Sequence, residues 1–297
     1  MTGGHTRHRP PARFHIVLCA FEPSIAFLRE QLDSIRGQTL GDWTCDICDD
    51  QSSAERRAEI EAMIEDDPRF LLRVNPERLG VFHNFEAGVA AAPQSAELIA
   101  YCDQDDIWAP NKLEVLTEAF ADPGVTLAHS DMALIGVDGV VTHPSGFAFE
   151  NRYLGDLSVQ QLLLRNAVTG CCAAFRASLR TELLPFPNQG RDVHFHHDLW
   201  TALIAAQVGR IQTIRQPLLF YRQHGANVVG ADTGHAPPGR APPLAARTDA
   251  WLAHWRRLER LIAEIVRRVH AVDGVTEVVS QAERATRAPG TAKLGAS

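Results

Sequence analysis

Apolar and polar positions follow two periods along the chain, and the switches between them predict its elements. Phe14–Ala20, FHIVLCA, is a near-continuous apolar run of strand length, and Trp43–Cys48, Phe70–Arg73 and Leu98–Cys102 are three more. Between them the period lengthens to that of a helix. Ser24 is placed to cap a helix reaching Gln38, with Leu28, Leu32 and Ile35 on one face. A polar helix is predicted over Ala54–Glu65, and another over Phe82–Ala91 behind a turn at Leu79-Gly80-Val81. Strands and helices alternating at this spacing predict an α/β fold with a largely parallel sheet in three layers.

The later half is less regular. Val125–Ser130 and Met132–Val137 read as two strands, Leu154–Asn166 as a helix and Gly170–Phe175 as a strand of small residues. Leu184–Gly190 reads as an irregular loop and Leu199–Val208 as a buried helix. Ile211–Ile214 is short and apolar, and Pro217–His224 gives PLLFYRQH. Residues 225–243, rich in Gly, Pro and Ala, read as a loop or linker. From Leu244 to His270, Trp251, Trp255, Leu258, Ile262, Ile265 and Val269 recur every three or four positions, as on an amphipathic helix. The simplest use of that stripe is docking on the domain. The sharper one, given its five arginines, is peripheral contact with an anionic membrane or with a second copy of the chain.

Composition narrows the classes. The 297 residues suffice for one large α/β domain or two fused halves. Lys and Arg number 29 against 36 Asp and Glu, a net charge of -7, which argues against general nucleic-acid binding. No stretch reaches the roughly 20 apolar residues needed to span a bilayer. Residues 1–13 hold no apolar run, so a signal peptide is not expected and the expected location is the cytoplasm. Most of the six cysteines lie in apolar runs and are expected to be buried free thiols. Cys45 and Cys48 form a CxxC, but a strand places them on opposite faces.

Chemistry enters at the strand ends. In an open α/β sheet ligands bind beyond the carboxyl ends of the strands. Three polar clusters fall there: Phe21-Glu22, Asp49-Asp50 and Asp103-Gln104-Asp105-Asp106. Asp49-Asp50 alone reads equally well as a solvated loop or cap. Three carboxylates in four residues directly after a buried strand are harder to dismiss. Asp103 and Asp105 are spaced i and i+2, so at a strand end both can point the same way. Such a pair suits Mg²⁺ or Mn²⁺, which take oxygen ligands and often accept only one or two carboxylates beside phosphate and water.

Several short motifs recur in one order. They are Leu32-Asp33-Ser34-Ile35 with Gln38-Thr39, Asp49-Asp50-Gln51-Ser52, Gly80-Val81 with Asn84-Phe85, and Asp103-Gln104-Asp105-Asp106-Ile107-Trp108 with Pro110-Asn111-Lys112-Leu113. Later come Arg165-Asn166 with Thr169-Gly170-Cys171, His197-Asp198, and Tyr221-Arg222-Gln223-His224-Gly225 with Asn227-Val228-Val229-Gly230. With them the chain resembles the inverting glycosyltransferases of family 2, and most of all the bacterial rhamnosyltransferase-like members that build surface polysaccharides. It departs from them in having Ala20-Phe21-Glu22 for Thr-Tyr-Asn, Gln51 for a glycine, Leu199-Trp200 for an aromatic pair, and no Gln-x-x-Arg-Trp motif. The last absence argues against a processive polymerase.

The resemblance implies a GT-A fold over residues 14–230: a Rossmann-like nucleotide-sugar-binding half with a mainly parallel sheet (14–118), fused to an acceptor and catalytic half (119–230). A tail (1–13) precedes it, and a flexible loop (231–243), a helical segment (244–285) and a tail (286–297) follow. Asp105 is expected to touch the metal directly, with Asp103 and, from the other half, His224, which read alone is a surface histidine beside a loop. Asp50 is expected near the nucleobase or ribose beside Phe21 and Glu22. Asp106 is expected to cap the next turn or touch the donor sugar. Lys112 and Arg222 are candidate phosphate contacts, Lys112 otherwise a helix-surface lysine. Asp198 matches the family's general base, although a helix N-cap explains it too, and His197 is a candidate to orient it. The implied reaction moves a sugar, rhamnose among the candidates, from a nucleoside-diphosphate sugar to a hydroxyl of a glycan or lipid-linked acceptor. The implied place is the cytoplasm or the inner face of the cell membrane. A sugar-phosphate nucleotidyltransferase is the alternative enzyme, but residues 19–25 lack the expected glycine-rich loop. A catalytically inactive interaction protein is the alternative of another class.

Overall fold

The computed structural model describes residues 12–187, 196–225, 259 and 262–264. Trp251, Trp255, the 231–243 loop, the motif at Asn227 and the tail after residue 285 lie outside the described residues. The chain divides into two compact units, one of residues 1–186 with 196–238 and one of residues 187–195 with 239–297. Of the second unit, Glu259 and residues 262–264 are helical.

The first unit begins as the periodicity demands, with β1 (Phe14–Ala20), α1 (Ile25–Arg36), β2 (Trp43–Asp49), α2 (Ala54–Ile64), β3 (Phe70–Val74), α3 (Gly80–Ala91) and β4 (Leu98–Cys102). β1 pairs in parallel with β2 and β4, and β2 with β3. Every residue of β1, β2 and β4 is buried, as expected of parallel strands covered on both faces. On one face Ile16, Leu18, Cys45 and Ile47 join Leu28, Leu32 and Ile35 of α1 in the main core. On the other lies α3, so close that a Cβ on Gly88 would stand 2.2 Å from Val17 Cγ1 and 3.0 Å from Cys48 Sγ. Cys45 and Cys48 thus sit on opposite faces, and all six cysteines are buried and free.

There follow β5 (Ile107–Trp108), α4 (Lys112–Ala119), β6 (Val125–Ile135), β7 (Val141–His143), α5 (Gly146–Phe149), α6 (Val159–Leu164), a 3₁₀ turn (Gly170–Cys172), β8 (Ala173–Arg176), a 3₁₀ turn (Ala177–Leu179), α7 (Arg180–Leu183), α8 (His197–Val208) and β9 (Arg210–Arg222). The sheet order is β3-β2-β1-β4-β8-β6-β9-β5, with β7 on β6.

This corrects the expectation of a mainly parallel sheet. β8 pairs antiparallel with both β4 and β6, β5 with β9 and β7 with β6, so the sheet is mixed. The chain enters β8 from the 3₁₀ turn instead of crossing over through a helix, so the strand runs back between its neighbours. The two strands expected around Asp131 are one, β6, with a register shift there against β9. Asp131 is buried and absorbs the irregularity: its Oδ1 accepts the N–H groups of Met132 at 2.7 Å and Phe147 at 2.9 Å. The helix expected from Leu154 shortens to α6, because Ser158 caps it by accepting the N–H of Gln161. Among the described residues no helix is long and apolar enough to cross a membrane.

Candidate active site

A cavity of about 1190 Å³ opens beyond the carboxyl ends of β1, β2 and β4. The first half lines it with Phe21, Glu22, Asp50, Asp103 and Asp105, and the second with Asn166, Gly170, Asp198 and His224. Lys112, Arg222 and Asp106 are not among its lining.

Asp50 organises the end near β1. Its Oδ1 accepts the N–H of Leu79 at 2.7 Å and Asn75 Nδ2 at 3.1 Å, and its Oδ2 accepts the N–H of Gly80 at 2.8 Å. Gly80 opens α3 with a φ of 76°, which glycine adopts without penalty. Since a carboxylate offers about four lone-pair sites, Oδ2 keeps one for a ligand. Gln51, in place of the family's glycine, takes a left-handed φ of 68°, and its side chain donates to the Asn75 carbonyl. Phe21 donates its N–H to Gln104 Oε1 at 2.9 Å, and the Arg78 guanidinium lies 3.6 Å from its ring centroid. Glu22 accepts the N–H of Ser53 and pairs with Arg56 at 3.8 Å, tying the β1 and β2 ends together.

The acidic run after β4 splits by direction. Asp105 meets His224, Oδ2 to Nε2 at 2.7 Å, and His224 stacks on Phe27 at 5.6 Å. Asp103 also faces the cavity, but is otherwise buried. Burial, then the charge of Asp105, pushes its pKa up to about 7, against a hydrogen bond from the Cys171 thiol. Asp106 turns away, which corrects the expectation of a cap or a sugar contact. It is fully buried, and its Oδ1 accepts the N–H of Arg222 at 3.0 Å. Burial, then the charge of Asp103, holds it protonated well above the usual carboxylate range.

Among the described residues, one close grouping of possible metal ligands includes Asp103. Ligand atoms of Asp103, Asp106 and Cys171 lie within 4.8 Å of one another. That set is closed off and includes a thiol, which suits softer ions. Asp103, Asp105 and His224 all line the open cavity, and the two carboxylates are the ligand type that suits Mg²⁺ or Mn²⁺ bound with phosphate and water.

The structure does not bring Lys112 or Arg222 to a phosphate. Lys112 is fully buried, donates to the Cys171 carbonyl and lies 4.0 Å from the Trp108 ring centroid. Arg222 is 1% exposed. Its Nε donates to the Asp105 carbonyl at 2.9 Å, its Nη1 to Val137 O at 3.2 Å, and its Nη2 pairs with Glu30. Arg222 holds the backbone of the acidic loop and Lys112 that of the 3₁₀ turn, which corrects their expected role.

Asp198 lies in the first turn of α8, and the N-cap is His196, so the capping explanation does not apply. Its Oδ1 accepts Asn166 Nδ2 at 3.2 Å and its Oδ2 the N–H of Gly170 at 3.3 Å. Burial raises its pKa, with His196 the largest opposing influence. His197 does not orient it. That ring stacks on Phe85 at 3.7 Å, burial depresses its pKa to about 3, and its Nε2 would stand 2.4 Å from a Cβ on Gly170.

The model of glycosyl transferase family 2 matches residues 16–184, more than half of the chain. The chain belongs to that family. An uncharacterized glycosyltransferase of Nostoc sp. is 28% identical over 206 residues, 68% of this chain and 62% of its own length. The UDP-Glc:alpha-D-GlcNAc-diphosphoundecaprenol beta-1,3-glucosyltransferase WfgD of Escherichia coli is 27% identical over 110 residues, 37% of this chain and 42% of its own. The chain thus matches less than two thirds of either relative's length. The structure of S. aureus TarS 1–349 in complex with UDP-GlcNAc shares the fold, with a TM-score of 0.60 and 13% identity over 91% of this chain and 71% of that one.

The family 2 match runs from β1 to α7, so it takes in Asp50, Asp103 and Asp105 and ends before Asp198 and His224. Sequence reasoning missed Arg56, Arg78, Arg152 and His196 on the cavity wall, and gave Arg165 and Asn166 no role. The pairing Arg165-Asn166 stood among the motifs, and a cation beside a motif amide was the one available signal.

Proposed function

We propose that this protein transfers a sugar, with inversion, from a nucleoside-diphosphate sugar to a hydroxyl of a glycan or lipid-linked acceptor, using Mg²⁺ or Mn²⁺. The carrying observation is that one cavity holds Asp103, the Asp105–His224 pair and Asp198, the last desolvated and aimed by Asn166 and Gly170. The TarS complex, which names UDP-GlcNAc, and the E. coli relative, whose name specifies UDP-Glc and a diphosphoundecaprenol-linked acceptor, support a nucleotide-sugar donor and a lipid-linked acceptor. Rhamnose is the sugar that the sequence resemblance favours.

In this reading the nucleoside lies at the Phe21–Asp50 end, where Phe21 and Arg78 form a flat platform and Asp50 keeps a free lone pair for a base or ribose donor. Asp105, His224 and Asp103 would hold the metal. When bound, that ion would neutralise the charge developing on the leaving diphosphate. Asp198 accepts the proton of the acceptor hydroxyl as that oxygen attacks the anomeric carbon from the face opposite the leaving group. Burial makes this carboxylate a stronger base than a solvated one, and hydrogen bonds from Asn166, Gly170 and the Leu199 N–H fix its direction. No covalent intermediate is needed. With a lipid-linked acceptor the protein would work at the inner face of the cell membrane.

The test is a panel of UDP-, GDP- and dTDP-sugars, dTDP-rhamnose included, assayed for nucleoside diphosphate release with and without Mn²⁺. Metal-dependent release from one nucleotide class is the expected result. No release from any donor in the presence of glycan and lipid-linked acceptors would contradict the reading.

A further inference from the structure

Asn84 lies one turn into α3 and borders the cavity, yet it is buried. Each end of its carboxamide is committed to the protein. Its Nδ2 donates to the Cys48 carbonyl at 2.8 Å, and its Oδ1 accepts Asn75 Nδ2 at 2.8 Å. The same Asn75 nitrogen gives its other hydrogen to Asp50 Oδ1 at 3.1 Å. The direction of both amides is forced. The Cys48 carbonyl and the Asp50 carboxylate only accept, so flipping either amide would set two donors or two acceptors against each other.

Asn75 is held at its backbone as well. Its N–H donates to the Asp49 carbonyl at 2.9 Å, and its own carbonyl accepts Gln51 Nε2. Asp50, Asn75 and Asn84 are all buried, where a satisfied polar network rigidifies and a broken one is costly. The other two bonds to Asp50 come from the backbone N–H groups of Leu79 and Gly80. Asn75 is its one side-chain donor among the described residues, and the Asn84 oxygen keeps that donor turned. Helix α3 thus reaches Asp50 twice, directly through Gly80 and, four residues on, through Asn84 and Asn75.

We propose that Asn84 is a positioning residue of the donor site. Acting through Asn75, it sets the direction in which Asp50 offers its remaining lone pair to the nucleoside. The inference rests on the reading of Asp50 as a nucleoside contact.

The full chain is titrated calorimetrically at saturating Mn²⁺ with UDP, GDP, dTDP and pyrophosphate. Pyrophosphate keeps the metal and diphosphate contacts and lacks the nucleoside. The wild type is expected to bind one of the nucleoside diphosphates more tightly than pyrophosphate. Asn84→Ala should bind that nucleotide about tenfold more weakly, the scale for disturbing one hydrogen bond to a charged group, with pyrophosphate affinity unchanged. Asn75→Ala cuts the same link, should show the same split, and carries the comparison if Asn84→Ala does not fold. Added to Asp50→Ala, either substitution should weaken binding no further, because its effect passes through Asp50. Unchanged nucleotide affinity overturns the assignment. So does an equal loss for pyrophosphate, which would make Asn84 a support of the whole site. So does a full tenfold loss on top of Asp50→Ala, which would make it act independently of Asp50. A wild type that binds no nucleoside diphosphate more tightly than pyrophosphate would overturn the nucleoside reading of the Asp50 end, and this inference with it.

Discussion

His224 Nε2 lies 2.7 Å from Asp105 Oδ2, although 119 positions separate them in the chain. β9 makes the meeting possible. It pairs with β5, directly after the acidic run, and Arg222 at its end donates to the Asp105 carbonyl. The same strand therefore fixes both the carboxylate's backbone and the imidazole. In the proposed reading this hydrogen-bonded pair presents the Asp105 carboxylate, with His224 beside it, to a divalent ion in the cavity.

Asp105→Ala is accordingly expected to abolish most transfer and the metal-dependent part of nucleoside diphosphate binding, and His224→Ala to weaken Mn²⁺ binding in the same direction. Calorimetric titration of each variant with UDP and Mn²⁺ measures this. Turnover that persists undiminished in excess chelator would contradict it.

The pH dependence should carry the mark of Asp198. Its pKa is raised by burial, and only the unprotonated carboxylate can accept the hydroxyl proton. Turnover is therefore expected to fall as pH drops through a pKa above the ordinary carboxylate range of about 4. The same shift has a stability consequence of opposite sense. The folded state binds this proton more tightly than the unfolded chain, so the group costs stability as pH rises from the unfolded value through the folded one. A rate profile at saturating donor, run alongside Tm against pH, checks both signs. An acidic limb at or below the ordinary range would mean that the titrating base is not desolvated.

Gly170 couples the 3₁₀ turn to the base. A methyl group there would stand 2.4 Å from His197 Nε2, and that ring is stacked on Phe85 with little room to retreat. Gly170→Ala should therefore displace the N–H that Asp198 accepts, lowering kcat with little change in UDP affinity. Steady-state kinetics beside a UDP titration show the split, and an unchanged kcat would contradict it.

Gly88 tests the packing away from the chemistry. Its α-carbon faces Val17 across the α3–β1 contact, so Gly88→Ala overpacks the junction. The cost should be about 1–3 kcal/mol, seen as a lower Tm. A thermal melt equal to wild type would show that α3 can move outward without penalty.

The parallel half of the fold was legible because its signals are local. Runs such as FHIVLCA, buried on both faces, alternate with helical periods, and the order of polar strand ends pointed to Phe21, Asp50, Asp103 and Asp105. Strand direction is not local. AAFR reads the same either way, and only pairing with β4 and β6 shows that β8 runs back. Nor does sequence reveal where a long side chain ends. Lys112 stands at a helix start, where lysines are normally solvated, yet its ammonium lies under Trp108. Arg222 follows Tyr221, which lines the cavity, and alternation along β9 turns it to the other side, where it is buried. Asp198 was legible as a residue and not in its surroundings, since Asn166 and Gly170 reach it across 32 and 28 positions.

The central claim is a division of labour: Asp105 and His224 serve the donor, and Asp198 serves only the incoming hydroxyl. Asp198→Asn keeps the size, but it cannot accept a proton, and its amide nitrogen cannot accept from Gly170 while its oxygen accepts from Asn166, so one of those contacts is lost with the base. The decisive measurement is transfer rate and UDP·Mn²⁺ affinity on the same preparation of this variant. The account expects a fall in kcat of roughly 10²–10⁴-fold with donor affinity and Tm essentially unchanged. Transfer at near wild-type rate, or loss of donor binding by a folded Asp198→Asn, would contradict it.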